Sequence, residues 1–273
     1  MTIEYQTISH DEYDYCNEIA NDILEGISNK YNVAKDDIHY KYVIDYLVDI
    51  AGPSNLCLFV SKKFCNSSFE FNKINPNSLK ITYNYKFSTQ KIPLHAETID
   101  VLSGNFCQIV SGFTIFPQDG SIMFLNAETR TWARTIFTII HELVHSYLAT
   151  SRPNYKKQVA LINQTNLKGN PYPEDLQLIE AETNTISSLL YAPTCSLKKE
   201  ILKKDFSELC YQYGMSYSAM HNRLFNYFYH DYNFTFYSAK QAVFSFRNNN
   251  KKEIEKLRKL LNTEYLEMDD LFF

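Results

Sequence analysis

A chain of 273 residues with 45% hydrophobic and 21% charged side chains is long enough to bury a substantial core, and its composition is neither disordered nor fibrous. A formal charge of -4 and a pI near 6.0 give no overall attraction to nucleic acid or to an anionic membrane surface. The first residues are polar and acidic, and no run approaches the roughly 18 apolar residues that span a bilayer, so neither a signal peptide nor a membrane span is expected.

The N-terminal segment DEYDYCNEIANDILEGISNKY places Tyr13, Ile19, Ile23, Leu24 and Ile27 at near-helical spacing, and DDIHYKYVIDYLVDIAG reads as a second helix stopped by Gly52-Pro53. NLCLFV and LKITYNYKF read as strands, the latter from its alternation of Ile81, Tyr83, Tyr85 and Phe87. FCQIVSGFTIF and SIMFLN flank a turn at Pro117 to Gly120 and predict a hairpin. A long apolar helix follows. From Ala149 to Glu174 the chain turns polar, with Pro153, Gly169, Pro171 and Pro173, and reads as a loop. A helix from about Glu174 to Tyr191 stops at Pro193. Further on, DFSELCYQYGMSYSAMHNRLFNYF has the form helix, turn at Gly214, N-cap Ser216, helix. NNNKKEIEKLRKLLN is amphipathic, with Ile254, Leu257, Leu260 and Leu261 on one face.

Helices, then strands, then helices predict an α+β fold, mainly helical, with a small mixed or antiparallel sheet beside the long apolar helix. Three regions are expected: an N-terminal helical part over residues 1–75, a core over 76–196, and a C-terminal helical part over 197–273. The six cysteines are scattered without a C-x-x-C pair and read as reduced thiols of the cytoplasm.

The chemistry concentrates in TIFTIIHELVHSYLAT, from Thr135 to Thr150. At about 100° per residue, Ile136, Ile140, Leu143 and Tyr147 form an apolar face flanked by Phe137 and Val144. His141 and His145 fall within roughly 40° of each other on the opposite side, beside Thr138 and Arg134, as on a helix that lines a cleft. Two imidazoles one turn apart can bind a single tetrahedral zinc, and Glu142 between them can act as general base toward a water. Short matches to this pattern also arise by chance, so a third ligand is required. EDLQLIEAETNTISSLLYAP supplies Glu180 and Glu182 on a second helix. Glu180 shares a polar edge with Asn184 and Ser187, whereas Glu182 projects from the other side. Glu180 is therefore the preferred ligand, Asn184 an amide able to orient an imidazole, and Glu182 the alternative.

These two blocks resemble the ImmA/IrrE metallo-endopeptidases, whose pattern reads as an arginine, F-T-x-x-H-E-x-G-H, and then E-x-x-A-N-x-F-A-x-x-L-L-M-P. Arg134, Phe137, Thr138, His141, Glu142 and His145 match the first block, and Glu180, Asn184, Ile186, Leu190 and Pro193 the second. Ser216, Arg223 and Leu224 match the helix-turn-helix-like segment that follows, and the likeness covers about half the chain. Val144 stands where the pattern has glycine, Thr183 and Ser187 where it has alanine, Tyr191 where it has leucine, and Ala192 where it has methionine.

The resemblance implies an intracellular zinc peptidase, with one zinc held by His141, His145 and Glu180 and with Glu142 as base. Residues 76–196 would then be a zincin-like core. The implied substrate is a protein, a helix-turn-helix transcriptional repressor of the kind associated with mobile elements. Tyr191, Tyr213 and His221 are candidates for an extra donor to the transition state. An edge strand before the motif helix is expected to pair with extended substrate, and the segment from Ser151 to Pro173 to govern access. The alternative function is a non-catalytic module that binds a repressor or DNA through its C-terminal helices. Near-balanced charge after Ser196 weighs against nucleic acid as a partner.

Overall fold

The computed structural model describes residues 8–61, 79–85, 88–102, 104–118, 120–129, 131–152, 154–168 and 174–269, with backbone alone for 79–85, 88–102, 164–168, 174–175 and 263–269. Cys65, Phe87, Pro153, Gly169, Pro171 and Pro173 lie outside the described residues. The chain divides into two compact units, Tyr40–Ser187 and a second formed by Met1–His39 with Ser188–Phe273. This partition differs from three consecutive regions because the first helix is grouped with the C-terminal part, where Tyr13 meets His230 and Asp231.

The unit Tyr40–Ser187 holds α2 (Tyr40–Ala51) and a five-stranded mixed sheet of β1 (Asn55–Ser61), β2 (Leu79–Tyr85), β3 (Ser88–Leu102), β4 (Gly112–Ile115) and β5 (Ile122–Asn126). The strand order is β2-β3-β1-β5-β4. β1 runs parallel to both of its neighbours, and β2 and β4 are antiparallel to β3 and β5. Leu56 to Ser61 are buried without alternation, as a central strand covered on both faces requires. Phe59, Phe106, Cys107 and Val110 form a core under the sheet, joined by Phe113 and Phe124, whose rings stack at 4.6 Å.

The hairpin of β4 and β5 is as read from sequence, but FCQI is not a strand. It forms the short helix α3 (Gly104–Ile109), which turns Phe106 and Cys107 inward. Three helices complete this part of the chain: α4 (Trp132–Ser151), α5 (Tyr155–Lys168) and α6 (Glu174–Tyr191), the last continuing past Ser187 into the other unit's residues. α5 lies inside the polar segment that reads as a loop. Its Tyr155, Val159 and Ile162, spaced four and three apart, are buried along one stripe.

The second unit joins α1 (His10–Tyr31) to α7 (Thr194–Glu200), α8 (Phe206–Tyr213), α9 (Tyr217–Asn226), α10 (Phe236–Arg247) and α11 (Lys251–Asp269). α1 opens with a capping box between Ser9 and Glu12 and buries Tyr13, Cys16, Ala20, Ile23, Leu24 and Ile27. The Tyr13 hydroxyl donates to Asp231, and its ring stacks on His230 at 4.1 Å, which ties the start of the chain to the π turn Tyr227–Asp231 after α9. The helix, turn, helix reading holds: Asp205 and Glu208 form a capping box, Gly214 ends α8 at φ 66°, and Ser216 caps α9. Arg223 is fully buried and donates to Ala192 O and Thr194 Oγ1. Among the described residues no helix is long and apolar enough to cross a membrane, and Cys57, Cys107, Cys195 and Cys210 are free thiols.

Candidate metal centre

α4 starts where the Thr131 side chain accepts from the Arg134 N–H and runs for 20 residues without glycine or proline. It packs against α2, β4, β5 and α5. The sequence reading gave it one apolar face and one open face. It is instead buried around most of its circumference: Glu142 and His145 are 4% and 2% exposed, and Thr138 is buried as well. The face carrying the histidines is covered by α5 and α6, so the polar groups there sit in an enclosed site.

The strand beside α4 comes unusually close. A Cβ on Gly112 would stand 2.5 Å from Thr138 Cγ2, so only glycine lets β4 lie this near the helix. That approach puts the Thr114 hydroxyl 2.8 Å from Glu142 Oε2, to which it donates. Arg134 Nε donates to Ser111 Oγ at 2.7 Å, holding the start of the strand to the same helix.

His141, His145 and Glu180 form a group that could hold a metal ion, their ligand atoms all within 4.8 Å of one another. The two Nε2 atoms are 3.0 Å apart, and Glu180 offers Oε1 at 3.3 Å from His145 and Oε2 at 3.5 Å from His141. Of Glu180 and Glu182, the two acids weighed on α6, Glu180 is the one at the centre. Glu182 instead receives Arg152 Nη1 at 2.5 Å, an ion pair between α6 and the end of α4.

Charge is strongly coupled here. Burial disfavours the Glu180 carboxylate, yet the bonds and charges of both histidines outweigh it and hold its pKa well below the carboxylate range. His141 shows the mirror effect: burial opposes its charged form, but Glu180 and then Glu142 raise its pKa. Glu142 is raised above the usual carboxylate range by burial, against the pull of both histidines and Thr114. Asn184 approaches the His141 ring as a hydrogen-bonding neighbour, short of a well-formed bond to the buried Nδ1.

The other donors weighed from sequence belong to the second unit and are engaged there. Tyr191 donates to Gly214 O, Tyr213 meets Ser196 Oγ at 2.8 Å, and His221 packs edge-on against Phe244. Besides Thr114, two residues that sequence reasoning did not assign to the site do reach it. Tyr155 places its hydroxyl 2.8 Å from His145 Nδ1, and Thr183 Oγ1 lies 3.1 Å from that hydroxyl. Tyr155 heads the Tyr155, Val159, Ile162 stripe, too short a signal in a polar segment to mark it. Thr183 was visible only as a departure from a pattern.

Comparison with protein-family models, curated proteins and solved structures finds no match to this chain.

Proposed function

We propose that this chain is a zinc-dependent endopeptidase, with His141, His145 and Glu180 holding the ion and Glu142 acting as base. The observation that carries the reading is the convergence of two imidazole nitrogens and a carboxylate at spacings of 3.0, 3.3 and 3.5 Å. Ligands 2.0–2.1 Å from a tetrahedral zinc stand about 3.3 Å from one another. The donor set and its spacing therefore fit that ion, with a fourth position for water or substrate. When bound, the ion supplies Lewis acidity toward a carbonyl oxygen and eases deprotonation of a water.

The chain's own part is proton transfer and placement. Glu142 takes the water's proton on its carboxylate and passes it to the leaving amine. Thr114 fixes that carboxylate by donating to Oε2, and burial raises the Glu142 pKa toward the range in which one group can serve as both base and acid. β4 is an outer strand of the sheet, the kind of edge to which extended polypeptide adds. This favours a protein substrate, and the ImmA/IrrE resemblance makes a helix-turn-helix repressor the first candidate. The free thiols of Cys57, Cys107, Cys195 and Cys210 agree with a cytoplasmic setting.

The test is metal analysis of purified protein beside Glu180→Ala and Glu142→Gln, with cleavage of a peptide library followed by mass spectrometry. The expected result is about one zinc per chain in the native protein and its loss in Glu180→Ala. Glu142→Gln should keep the metal and lose activity by roughly 10²–10⁴-fold. A native protein that takes up no zinc when offered it would overturn the proposal and favour the binding-module alternative.

A further inference from the structure

The two histidines are held differently. His141 Nδ1 is buried without a hydrogen bond, whereas His145 Nδ1 meets Tyr155 Oη at 2.8 Å and Tyr155 Oη meets Thr183 Oγ1 at 3.1 Å. Taken singly, either contact could run in either direction. A third bond sets the direction of all of them. Thr183 Oγ1 lies 2.8 Å from Ile179 O, one turn back on α6, and a carbonyl can only accept. The single hydroxyl proton of Thr183 is therefore directed at Ile179 O, which leaves its oxygen to accept from Tyr155. The single proton of Tyr155 is then directed at Thr183, which leaves its oxygen to accept from His145. His145 therefore carries a proton on Nδ1, and in the neutral imidazole, which has only one, the lone pair is left at Nε2.

We propose that the relay Ile179 O, Thr183, Tyr155 is a positioning device that fixes the Nδ1–H tautomer of His145 and aims its Nε2 lone pair at the metal site before any ion arrives. It rests on the metal-site reading above. Tyr155 and Thr183 are 1% and 0% exposed, so water does not substitute for either hydroxyl. The imidazole of His145 is nearly as enclosed, with its side chain 3% exposed. The 3.0 Å contact between the two Nε2 atoms fits the same scheme, with His145 as the acceptor. Neither Tyr155 nor Thr183 touches the reacting atoms; each acts through His145. Outer partners of this kind typically contribute 10–100-fold to metal affinity.

The decisive variants are Thr183→Val, which keeps the shape and deletes the hydroxyl, Thr183→Ser, which restores it, and Tyr155→Phe. Without Thr183 Oγ the Tyr155 proton is released to turn toward His145 Nδ1, which would put the imidazole proton on Nε2, inside the site. Two readouts apply. In metal-free protein above the imidazole titration range, long-range ¹⁵N–¹H spectra report the tautomer of each histidine. In competition with a chromophoric chelator, zinc alone reports affinity. The expected result is an Nδ1–H His145 in native protein and in Thr183→Ser. Thr183→Val and Tyr155→Phe should lose that signature at His145 and bind zinc about tenfold or more weakly, with unchanged circular dichroism. An Nε2–H His145 in native metal-free protein would overturn the relay. So would a Thr183→Val variant with native tautomer and native affinity, and in that outcome the metal site itself stands. Failure of the native protein to bind zinc would instead remove the metal reading, with the tautomer spectra still deciding the relay.

Discussion

Gly112 shows how much the centre depends on one missing methyl group. Its Cα faces Thr138 Cγ2 and the Phe124 carbonyl, at 2.5 and 3.1 Å from where a Cβ would be. Thr138 is β-branched and its hydroxyl donates to Arg134 O, so it cannot easily rotate away. Gly112→Ala should therefore destabilise the protein by roughly 1–3 kcal/mol, read from the midpoint of denaturant unfolding. Adding Thr138→Ser, which removes the obstructing methyl, should recover part of the loss. A single variant as stable as the native chain would show that β4 can retreat from α4 freely. The same substitution should loosen the bond from Thr114 to Glu142, because the strand that moves is the one carrying the donor.

Among the elements, α5 touches both the β4 edge and the candidate metal site. Asn126 N–H donates to Ser111 O across the hairpin, so the alternate residues of β4 turn their backbone groups to the outer edge. There Asn163 Nδ2 donates to Thr114 O at 2.7 Å and occupies an acceptor that an extended peptide would use. Asn163→Ala should raise kcat/KM for peptide substrates with zinc content unchanged; no change in kcat/KM would mean that substrate does not pair with this edge. The segment expected to control access holds a helix, and Tyr155 at its start meets His145 of the candidate metal site. A deletion there that took Tyr155 would also remove the hydroxyl that meets His145.

This element marks the limit of what the sequence discloses. α4 and α6 were legible because each is a long helical pattern with a cap or a proline stop, and the ligand spacing on α4 is local. α5 was not: YKKQVALINQTNLK is polar, and its three buried residues gain weight only once they find α4 and β4. FCQI was misread for a related reason, since a six-residue segment with one aromatic carries no period long enough to separate helix from strand. At the centre, His141, Glu142, His145 and Glu180 could be read from spacing and phase. Tyr155 and Thr183 could not, because their contact joins helices 28 residues apart in the chain.

At the scale of the whole molecule, the helical unit stores a sensitivity to acid. Burial, helped by Arg247 and Lys240, lowers the His221 pKa from 6.5 to about 4, and burial with His10 does the same for His230. Between these values the unfolded chain binds protons that the folded one refuses, so stability rises with pH across that interval. The contribution is complete above pH 6.5 and is lost as pH falls toward 4, by roughly 1–3 kcal/mol for each histidine. Thermal unfolding at pH 7.5 and pH 5 should show a lower midpoint in acid, with the difference reduced in His221→Phe. An equal acid shift in that variant would place the sensitivity elsewhere.

The bond from Tyr13 to Asp231 spans 218 residues of chain, whereas Tyr40–Ser187 is continuous. A chain made from its N-terminus onward therefore has every residue of the sheet unit, the candidate metal site included, before Tyr13 meets Asp231. Through that interval Tyr13 lacks the His230 ring and the Asp231 carboxylate that it packs on and bonds to, and it is during this wait, while the chain is still being synthesised, that capture by a chaperone would matter most.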